Sequence, residues 1–507
     1  MSKNTDPKNS PVTATAASST NAASAPDPAW TNYVEDFRRA GHEAVDWIAE
    51  YLADLGGRPV LAQTKPGELF DALPASAPEK GESFAAIMRD FDSLVMPAVT
   101  QWNHPRFFAY FACTGSTPAI LGEMLAAALN TNGLHWKTSP AVAELEQKTL
   151  DWLRQWLGLS DEWFGIVYDT ASTSSMHAIV CAREMVAPEA RAQGSHGDLV
   201  LYTSDQAHSS IEKGAIAVGI GQNNVRKVPS DAEFRMRADA LAQMVAADKA
   251  AGKRPFCVVA TVGTTSTTSI DPVPAIADIA ERNGMWLHVD CAYAGCVAML
   301  PEHKDILAGA ERAHSLVYNA HKWLLTPIDL SAFYTRRPDI LRRAFSLTPE
   351  YLKTQDDPRA HNLMDYGVPL GHRFRALKLW FVLRYFGRER IEAMLRQQIE
   401  WAQKLAKLIA ADPRFEVVAP VPFSVVCFRF RGRGDQRDDA QRIDEQNKNI
   451  MDRVNESGRV FISSTVLNGK HVIRLAIGNL ATTWDDVQEA WDLVKKAAGD
   501  LTTDYHR

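Results

Sequence analysis

The residues Ser315-Leu316-Val317-Tyr318-Asn319-Ala320-His321-Lys322-Trp323 hold the clearest clue to the architecture of this chain. Their first four members form an apolar run that predicts a buried strand, and Lys322 follows where that strand has ended. A lysine enclosed at such a place loses solvation, which lowers the pKa of its amine and frees the lone pair to attack a carbonyl carbon. The alternative is an ordinary surface lysine at a strand end, and the sequence upstream bears on that choice.

A second apolar run, Met285-Trp286-Leu287-His288-Val289, ends at Asp290 and is followed by small residues. A carboxylate at the end of a strand can keep the nitrogen of a pyridine ring protonated, and the ring then accepts electrons. Asp290 alone would fit a helix cap equally well. Together with Lys322 at the next strand end of the same sheet, it favours a cofactor site with a covalent lysine.

These two phrases belong to a set of seven segments whose order along the chain is that of a known protein family. The chain resembles the group II decarboxylases, which use pyridoxal phosphate, and among them the aromatic-L-amino-acid decarboxylases. The resemblance runs from about residue 30 to residue 491. The other five segments are His104-Pro105-Arg106-Phe107-Phe108-Ala109-Tyr110-Phe111, Ser139-Pro140 with Glu144-Leu145-Glu146, Ser204-Asp205-Gln206-Ala207-His208-Ser209-Ser210, Ala260-Thr261-Val262-Gly263-Thr264-Thr265 and Pro369-Leu370-Gly371-His372-Arg373-Phe374-Arg375.

The resemblance implies an α/β protein. Its large domain has the fold type I (aspartate-aminotransferase-like) architecture with a mostly parallel sheet, between an N-terminal helical arm and a small α+β C-terminal domain. The alternation of short strands and helices along the chain agrees with it. In the large domain we predict strands at 164–168, 198–203, 216–220, 256–262, 285–289, 315–319 and 331–335.

The chain divides into four predicted regions. Residues 1–28 contain no Leu, Ile, Phe or Trp and are expected to be a disordered tail. Residues 29–110 form the helical arm, whose helix over 30–55 carries an apolar stripe. A stripe of that length needs a partner surface, which in the resembled family is the second subunit of a homodimer. Residues 111–372 form the large domain that binds pyridoxal phosphate, and residues 373–507 form the small one.

The composition is that of a large globular protein. With 507 residues, 46% of them hydrophobic, the chain can bury several cores. A formal net charge of −6 argues against a nucleic-acid partner, and the absence of a long apolar run argues against a membrane span. The six cysteines show no zinc-type pairing, so we expect reduced thiols, a cytoplasmic protein and no metal site.

A turn rich in hydroxyl groups, residues 169–175, lies between a predicted strand and a helical pattern. Free backbone N–H groups and the helix dipole favour a phosphate at such a turn, although ordinary capping of the helix is the alternative. By the resemblance, Ala171 and Ser172 take the phosphate of the cofactor and Asn319 assists. Relatives often carry small residues where this chain has Asp169 and the following threonine, so we expect Asp169 to point away from the phosphate.

The resemblance also assigns residues to the cofactor ring. His208 stacks on the ring opposite Asp290 and Ala292 and handles protons, whereas without the resemblance a core or capping histidine is the alternative. Thr265 contacts the cofactor or the substrate carboxylate. His321 orients the neighbouring lysine or the phosphate.

Four residues match positions that the family uses for the substrate. Trp102, Tyr110 and Phe111 line the pocket in relatives and would stack on an aromatic ring, with plain core packing as the alternative. Gly371 matches relatives that accept bulky indole or catechol rings. These residues favour an aromatic substrate.

The segment around Leu134 and His135 departs from the family pattern. Animal and plant relatives usually carry Phe in place of Leu134, and a small residue in place of His135 or Lys137. In the family this segment reaches across the dimer into the substrate site of the partner. The departure weakens any transfer of substrate identity from relatives to this chain.

Tyr351 lies in a polar segment typical of a loop that closes over a site, although an exposed aromatic residue in a turn is the alternative. In the family this tyrosine supplies the proton that replaces carbon dioxide at Cα, and relatives with Phe tend to make aldehydes. Tyr351, His208, Asp290 and Lys322 therefore predict a pyridoxal-phosphate-dependent decarboxylase that converts an L-amino acid to its amine. The candidate substrates are tryptophan, 5-hydroxytryptophan, DOPA, tyrosine and phenylalanine.

Three alternatives remain open at this point. One is an aldehyde synthase of the same fold, which releases peroxide and ammonia. Another is an aminotransferase, against which Tyr351 and His208 argue. The third is a non-catalytic protein with this fold, against which the intact Lys322, Asp290 and His208 argue.

Overall fold

The computed structural model describes residues 28–111, 113–347, 360–432 and 439–500. Within them the chain forms fifteen α-helices and eleven strands. The helices are α1 (Pro28–Asp54), α2 (Glu68–Ala72), α3 (Phe84–Asp90), α4 (Thr117–Leu129), α5 (Pro140–Trp156), α6 (Ala171–Val186), α7 (Ala190–Gln193), α8 (Ser210–Ala217), α9 (Ala238–Ala250), α10 (Val273–Arg282), α11 (Ala320–Trp323), α12 (Pro338–Phe345), α13 (Ala376–Ala411), α14 (Ala440–Glu456) and α15 (Trp484–Asp500). The strands are β1 (Phe164–Tyr168), β2 (Leu199–Ser204), β3 (Val225–Val228), β4 (Arg254–Thr261), β5 (Trp286–Asp290), β6 (Ser315–Tyr318), β7 (Ser331–Thr335), β8 (Phe415–Val417), β9 (Val425–Phe430), β10 (Ser463–Leu467) and β11 (Lys470–Ala476).

Seven of the described strands form one large sheet in the order β1-β7-β6-β5-β4-β2-β3. The five strands from β6 to β3 are parallel, and β7 is antiparallel to both of its neighbours. Every residue of β2, β5, β6 and β7 is buried, as expected for strands covered by helices on both faces. The predicted α/β class with a mostly parallel sheet is confirmed.

The strand predicted at 216–220 is wrong. These residues end helix α8 and enter a turn at Gly219, whose φ is +79°, and the strand of this region is β3. A short apolar run looks the same in a buried strand and in a helix. Here Ile216 is 47% exposed because it lies on the outer face of α8, so its apolar character carried no information about a strand.

The other four described strands form a smaller antiparallel sheet in the order β10-β11-β9-β8. Helices α14, α15 and the later part of α13 contribute apolar residues to the same core. The segment before the large domain also reaches this sheet, since Phe108 N donates to Phe461 O at 2.8 Å and Ala476 N donates to Phe108 O at 2.9 Å. The predicted domain boundaries stay predictions.

Helix α1 differs between its two halves. In its later part Trp47 stacks on Tyr51 and donates from Nε1 to Asp92 at 2.8 Å. In its earlier part the aromatic side chains of Trp30, Tyr33 and Phe37 are between 59% and 67% exposed. None of the described helices combines the length and the apolar character that a membrane crossing requires.

Candidate active site

The carboxyl ends of β4, β5 and β6 lie side by side because these neighbouring strands are parallel. Strand β4 leads into the turn that carries Thr265, β5 ends at Asp290, and β6 leads through Asn319 into the short helix with Lys322. A cavity of about 300 Å³ opens at this edge. Six predicted residues line it: Lys322, His208, Thr265, Trp102, Tyr110 and Phe111.

The Lys322 amine is poorly solvated. Its Nζ lies 5.0 Å from the centre of the Phe111 ring. Burial lowers the pKa of this amine, while the negative charge of Asp290 acts in the opposite direction. When the pKa of an amine is lowered, a larger fraction of the amine is unprotonated, and its lone pair can then attack a carbonyl carbon.

Asp290 is a buried carboxylate at the end of its strand. Its Oδ1 accepts a hydrogen bond from Ala292 N at 3.0 Å, which fixes the side chain against the following turn. Ala292 packs with Ala171 and Val317 in a small cluster of buried apolar residues. The ends of β5 and β6 and the start of α6 thereby form a smooth apolar patch beside the carboxylate.

His208 is oriented by the residue two positions after it. Its Nδ1 accepts from Ser210 N at 3.1 Å and contacts Ser210 Oγ at 2.8 Å. A ring nitrogen that accepts a backbone N–H carries no proton, so the neutral ring holds its proton on Nε2. Burial lowers the pKa of His208, the charge of Lys322 lowers it further, and Asp290 opposes both.

At the start of helix α6, backbone donors have no partner in the part of the chain that the structure describes. Its capping residue, Thr170, makes no hydrogen bond to the helix through its side chain. The first N–H groups of an uncapped helix have no partner within the helix, and here they belong to Ala171 and Ser172. Asp169 turns back on its own chain, where Oδ1 accepts from Thr170 N at 2.5 Å.

Asn319 and His321 flank the lysine segment in different ways. The amide oxygen of Asn319 is buried and has no hydrogen-bond partner among the described residues. His321 is buried as well, and its Nδ1 accepts from Leu330 N at 2.9 Å. Burial lowers the pKa of His321 to about 4, so its neutral ring ties the segment to the chain beyond it.

An aromatic column forms one wall of the cavity. Phe111 stacks on Tyr293 with ring centres 4.0 Å apart, and Tyr293 stacks on Trp323 at 4.8 Å. At the mouth, Trp102 and Tyr110 stack on each other at 5.8 Å. These contacts hold the rings in fixed orientations, which favours a flat aromatic ligand.

Three residues predicted for the substrate lie away from this cavity within the chain. Leu134 O accepts from Met364 N at 3.1 Å, and His135 is buried beside it. Gly371 lines a separate cavity of about 560 Å³, together with Asn132. Since the resemblance placed the Leu134 segment in the site of a partner subunit, its assignment stays a prediction.

Arg474, on β11 of the small sheet, is a site residue that the sequence did not reveal. Its guanidinium group lies 4.5 Å from the Phe111 ring centre, Nε donates to Ser266 O at 3.0 Å, and Nη1 donates to Tyr110 O. The residue is 4% exposed, and Nη2 has no partner among the described residues. The available signal was a single arginine in the otherwise apolar run His471-Val472-Ile473-Arg474-Leu475-Ala476.

The sequence did not reveal several other residues that line the cavity, because most of them come from segments far apart along the chain. Burial raises the pKa of the Cys113 thiol, which faces the cavity, so it stays protonated. The others are Ser266, Ser463, Ser464 and Thr465. Tyr351 lies outside the described residues.

Comparison with known proteins assigns this arrangement to a family. The model of the pyridoxal-dependent decarboxylase conserved domain matches residues 66–431. The chain is 39% identical to phenylacetaldehyde synthase of Arabidopsis thaliana over 480 residues, 92% of this chain and 96% of that protein. It is 38% identical to tryptophan decarboxylase 2 of Oryza sativa subsp. japonica over 480 residues, 92% of this chain and 95% of that protein.

A solved structure shows the same fold. The crystal structure of Oryza sativa TDC with PLP and tryptamine superposes with a TM-score of 0.90 at 37% identity, covering 92% of this chain and 98% of that one. The sheet order, the lysine segment and these similarities agree with one another. The chain therefore belongs to the pyridoxal-dependent decarboxylase family and is a pyridoxal-phosphate-dependent carboxy-lyase, as its motifs predicted.

Proposed function

We propose that this enzyme removes the carboxyl group of an aromatic L-amino acid at the cavity that holds Lys322, giving the amine and carbon dioxide. The observation that carries the proposal is the poorly solvated Lys322 amine, close to the buried Asp290 carboxylate and to the Phe111 ring. The names of the similar rice and Arabidopsis proteins both refer to aromatic compounds, which supports the aromatic substrate class.

The residues at the sheet edge fit pyridoxal phosphate. The free N–H groups at Ala171 and Ser172 suit a phosphate, because the start of a helix favours negative charge. The buried Asn319 amide lies at the same edge. Its oxygen has no hydrogen-bond partner among the described residues, so a donor of a bound ligand or water could pair with it. The apolar patch that includes Ala292 would accept the face of a flat ring.

When bound, pyridoxal phosphate supplies a carbonyl carbon for covalent attachment of the amino acid and a ring that accepts the electrons released with carbon dioxide. Lys322 would hold the cofactor through Nζ until the substrate amine takes its place. Asp290 would keep a proton on the ring nitrogen, and its burial keeps solvent from screening that charge. His208, with its proton on Nε2, would donate that hydrogen bond towards the reacting atoms.

The cavity walls would orient the substrate. Arg474 Nη2 is a buried donor that no described residue pairs with, and we assign it to the substrate carboxylate as that group enters the cavity. Phe111 and Tyr110 would pack against the aromatic ring. Holding both ends of the substrate restricts rotation about its Cα and presents the carboxyl group in one direction.

The proton that replaces the carboxyl group at Cα is assigned to Tyr351 by the resemblance. The similarity to phenylacetaldehyde synthase favours one alternative, in which oxygen intervenes and the product is an aldehyde. Because this chain has tyrosine at position 351, the amine remains the proposed product. The ratio of amine to aldehyde distinguishes the two functions.

We also propose that the active form is a homodimer. Large apolar side chains are exposed on two helices, with Trp30, Tyr33 and Phe37 on α1 and Leu129 on α4. Exposed apolar patches of this size mark interfaces. A second copy would cover them and bring the Leu134 segment to the partner's cavity. A cytoplasmic location stays a prediction, supported by six cysteines that form no disulfide.

The test is a substrate screen with the purified enzyme loaded with pyridoxal phosphate. Amine and carbon dioxide should form in equal amounts from at least one of tryptophan, 5-hydroxytryptophan, DOPA, tyrosine and phenylalanine. Histidine, whose imidazole ring is small and polar, and glutamate, which is acidic and non-aromatic, serve as controls and should react far more slowly. Exclusive turnover of glutamate or histidine would overturn the substrate class, and equal aldehyde and peroxide formation would favour the alternative.

A further inference from the structure

The turn that carries Thr265 into the cavity is a closed loop between the end of β4 and the start of α10. Gly263 N and Thr264 N both donate to Ser269 O at 3.0 Å, so the two sides of the loop are joined. Gly263 has a φ of +88°, and a Cβ at this position would lie 2.6 Å from the Cβ of Ala294. The loop therefore sits tightly on the large domain at its base.

The tip of this loop is held by the small domain. Ser266 O accepts hydrogen bonds from Arg474 Nε at 3.0 Å and from Cys427 Sγ at 3.2 Å. Ser266 Oγ lies 2.7 Å from Thr465 Oγ1. The loop thus fixes the guanidinium group that lines the cavity. A displacement of the base of the loop would therefore move both the turn and this guanidinium group.

Asp271 stands at that base, 1% exposed. Its Oδ2 accepts from Thr261 N at 2.8 Å and its Oδ1 accepts from Met236 N at 2.7 Å. Its own backbone N donates to Thr261 O at 2.9 Å. One carboxylate therefore joins the end of β4, the start of α10 and the segment that follows β3.

We propose that Asp271 is a positioning residue of the substrate cavity, whose carboxylate fixes the base of the turn and thereby places Thr265 and Ser266. The inference rests on the proposed function, because the turn affects catalysis only if the substrate occupies this cavity. Asp271 does not line the cavity and acts through the turn.

The protonation state of Asp271 bears directly on this role. Burial raises the pKa of its carboxyl to about 7, the hydrogen bonds from Met236 and Thr261 lower it, and the charges of Asp205 and Asp231 raise it. The other charged groups that face it are Glu233, Arg235, Arg237 and Asp239 in the adjoining groove and Asp290 at the end of the neighbouring strand.

An ionised carboxylate accepts both N–H groups, whereas a protonated carboxyl carries an O–H that faces one of these donors. Because burial raises the pKa more than the two hydrogen bonds lower it, the closed turn favours the neutral carboxyl, and the base of the turn is held less firmly as pH rises through about 7. Substrate turnover should fall over the same interval.

Asp271→Asn tests the proposal, because the amide has the shape of the carboxyl but keeps only one acceptor. Hydrogen–deuterium exchange of the peptide covering 261–269 is measured in the full-length, cofactor-loaded protein at pH 6 and pH 8.5, with correction for intrinsic exchange rates. In the unmodified protein, protection should fall about 10-fold or more from pH 6 to pH 8.5, as expected when a buried carboxyl with a raised pKa ionises. Asp271→Asn, whose neutral amide does not titrate, should show the same protection at both pH values.

Catalysis gives the second readout. The kcat/KM of the unmodified enzyme should fall about 10-fold or more between pH 6 and pH 8.5, and this fall should be absent in Asp271→Asn. Asp248→Asn is the matched control, because Asp248 is a buried carboxylate of the same domain that binds Tyr202 OH and Arg226 away from the turn. It should keep the pH-dependent protection of 261–269 and the fall in turnover near pH 7.

The outcomes separate cleanly. Unaltered exchange and an unaltered pH profile in Asp271→Asn overturn the positioning role. If that variant does not fold, the exchange of the unmodified protein decides, and equal protection at the two pH values refutes the proposal. If no amino acid is turned over at all, the proposed function fails, whereas the exchange data still judge the role of Asp271.

Discussion

Around Lys322 the chain supplies its own walls from two domains, whereas around the first half of α1 aromatic side chains are exposed to solvent. The cavity joins Lys322 and His208 of the large domain to Arg474 of the small one. On α1, Tyr33 and Phe37 are 65% and 67% exposed. The difference supports the proposal that one chain supplies the groups for bond breaking and that a second copy closes the substrate site.

Replacing Lys322 should have the largest effect of all, because it removes the central residue of the cavity. Lys322→Ala should lose at least about 10³-fold in kcat/KM, since covalent attachment of the cofactor has no substitute nearby. Borohydride reduction of the unmodified enzyme should fix the cofactor to the peptide that contains Lys322. Peptide mapping by mass spectrometry measures the attachment.

Lys378 is the internal control for that labelling. It is the other strongly buried lysine among the described residues, and it pairs with Glu123 at 3.0 Å. Its peptide should carry no label, because the ion pair occupies its amine. Label at Lys378, or substantial turnover by Lys322→Ala, would contradict the assignment of the catalytic region.

The motifs around Lys322 made this part of the active site predictable from the sequence. Strand β5 ends at Asp290 and β6 ends just before Asn319, and both strands are short apolar runs followed by polar residues. Such local patterns survive without any knowledge of long-range packing. The family, the fold class and the cofactor were therefore predicted from the sequence and are confirmed.

Other parts depend on contacts that no local pattern records. Arg474 reaches the Phe111 ring from a strand more than three hundred residues further along the chain, so its role follows only from the docking of the small domain. The false strand at 216–220 is a local failure, because the apolar run there covers the end of helix α8 at Ala217 and the turn at Gly219. The homodimer and Tyr351 stay predictions.

Tyr351→Phe is expected to have the second largest effect, because it removes the expected proton donor. Neither the described lining of the cavity around Lys322 nor the first half of α1 includes this residue. Formation of the amine should fall about 10²- to 10⁴-fold, the usual range for a lost general acid. Carbon dioxide should still leave, since that step depends on Lys322 and Asp290. One oxygen and one water per substrate would then be consumed, giving aldehyde, ammonia and hydrogen peroxide beside the carbon dioxide.

Simultaneous measurement of amine, aldehyde and carbon dioxide checks this partition. Tyr385→Phe is the matched control, since Tyr385 is a 60% exposed tyrosine on α13, and it should keep the normal product ratio. An unchanged amine yield in Tyr351→Phe would show that the proton comes from another group, such as His208 or water.

Charges on the exposed stripe of α1 should disrupt the proposed contact between two copies of the chain. The double change Tyr33→Glu and Phe37→Glu removes two aromatic contacts that a dimer would bury, which costs about 3–6 kcal/mol of dimer affinity. Sedimentation velocity should then show monomers, and turnover should fall with the loss of dimer. Arg38→Gln, on the polar side of the same turn, should leave both unchanged. A fully active monomer would refute the need for a second copy.

The smallest expected effect concerns the hydroxyl group that contacts His208. In Ser210→Ala the backbone N–H to Nδ1 remains, but the Oγ contact at 2.8 Å is lost. A donor on Nδ1 stabilises the neutral ring, so its removal should raise the pKa of His208 back towards its ordinary value.

Turnover requires the neutral ring, because only then does Nδ1 accept while Nε2 donates. Activity is therefore lost as pH falls through the pKa of His208, which lies below its ordinary value. The pH profile of kcat/KM should show this lower acid limb displaced upward in Ser210→Ala, with the limb near pH 7 and the rates at high pH unchanged. Ser209→Ala, the exposed neighbour, should give the normal profile. A limb that stays in place, or moves to lower pH, would mean that Ser210 Oγ does not hold the neutral ring, and the orientation of His208 would then rest on the backbone alone.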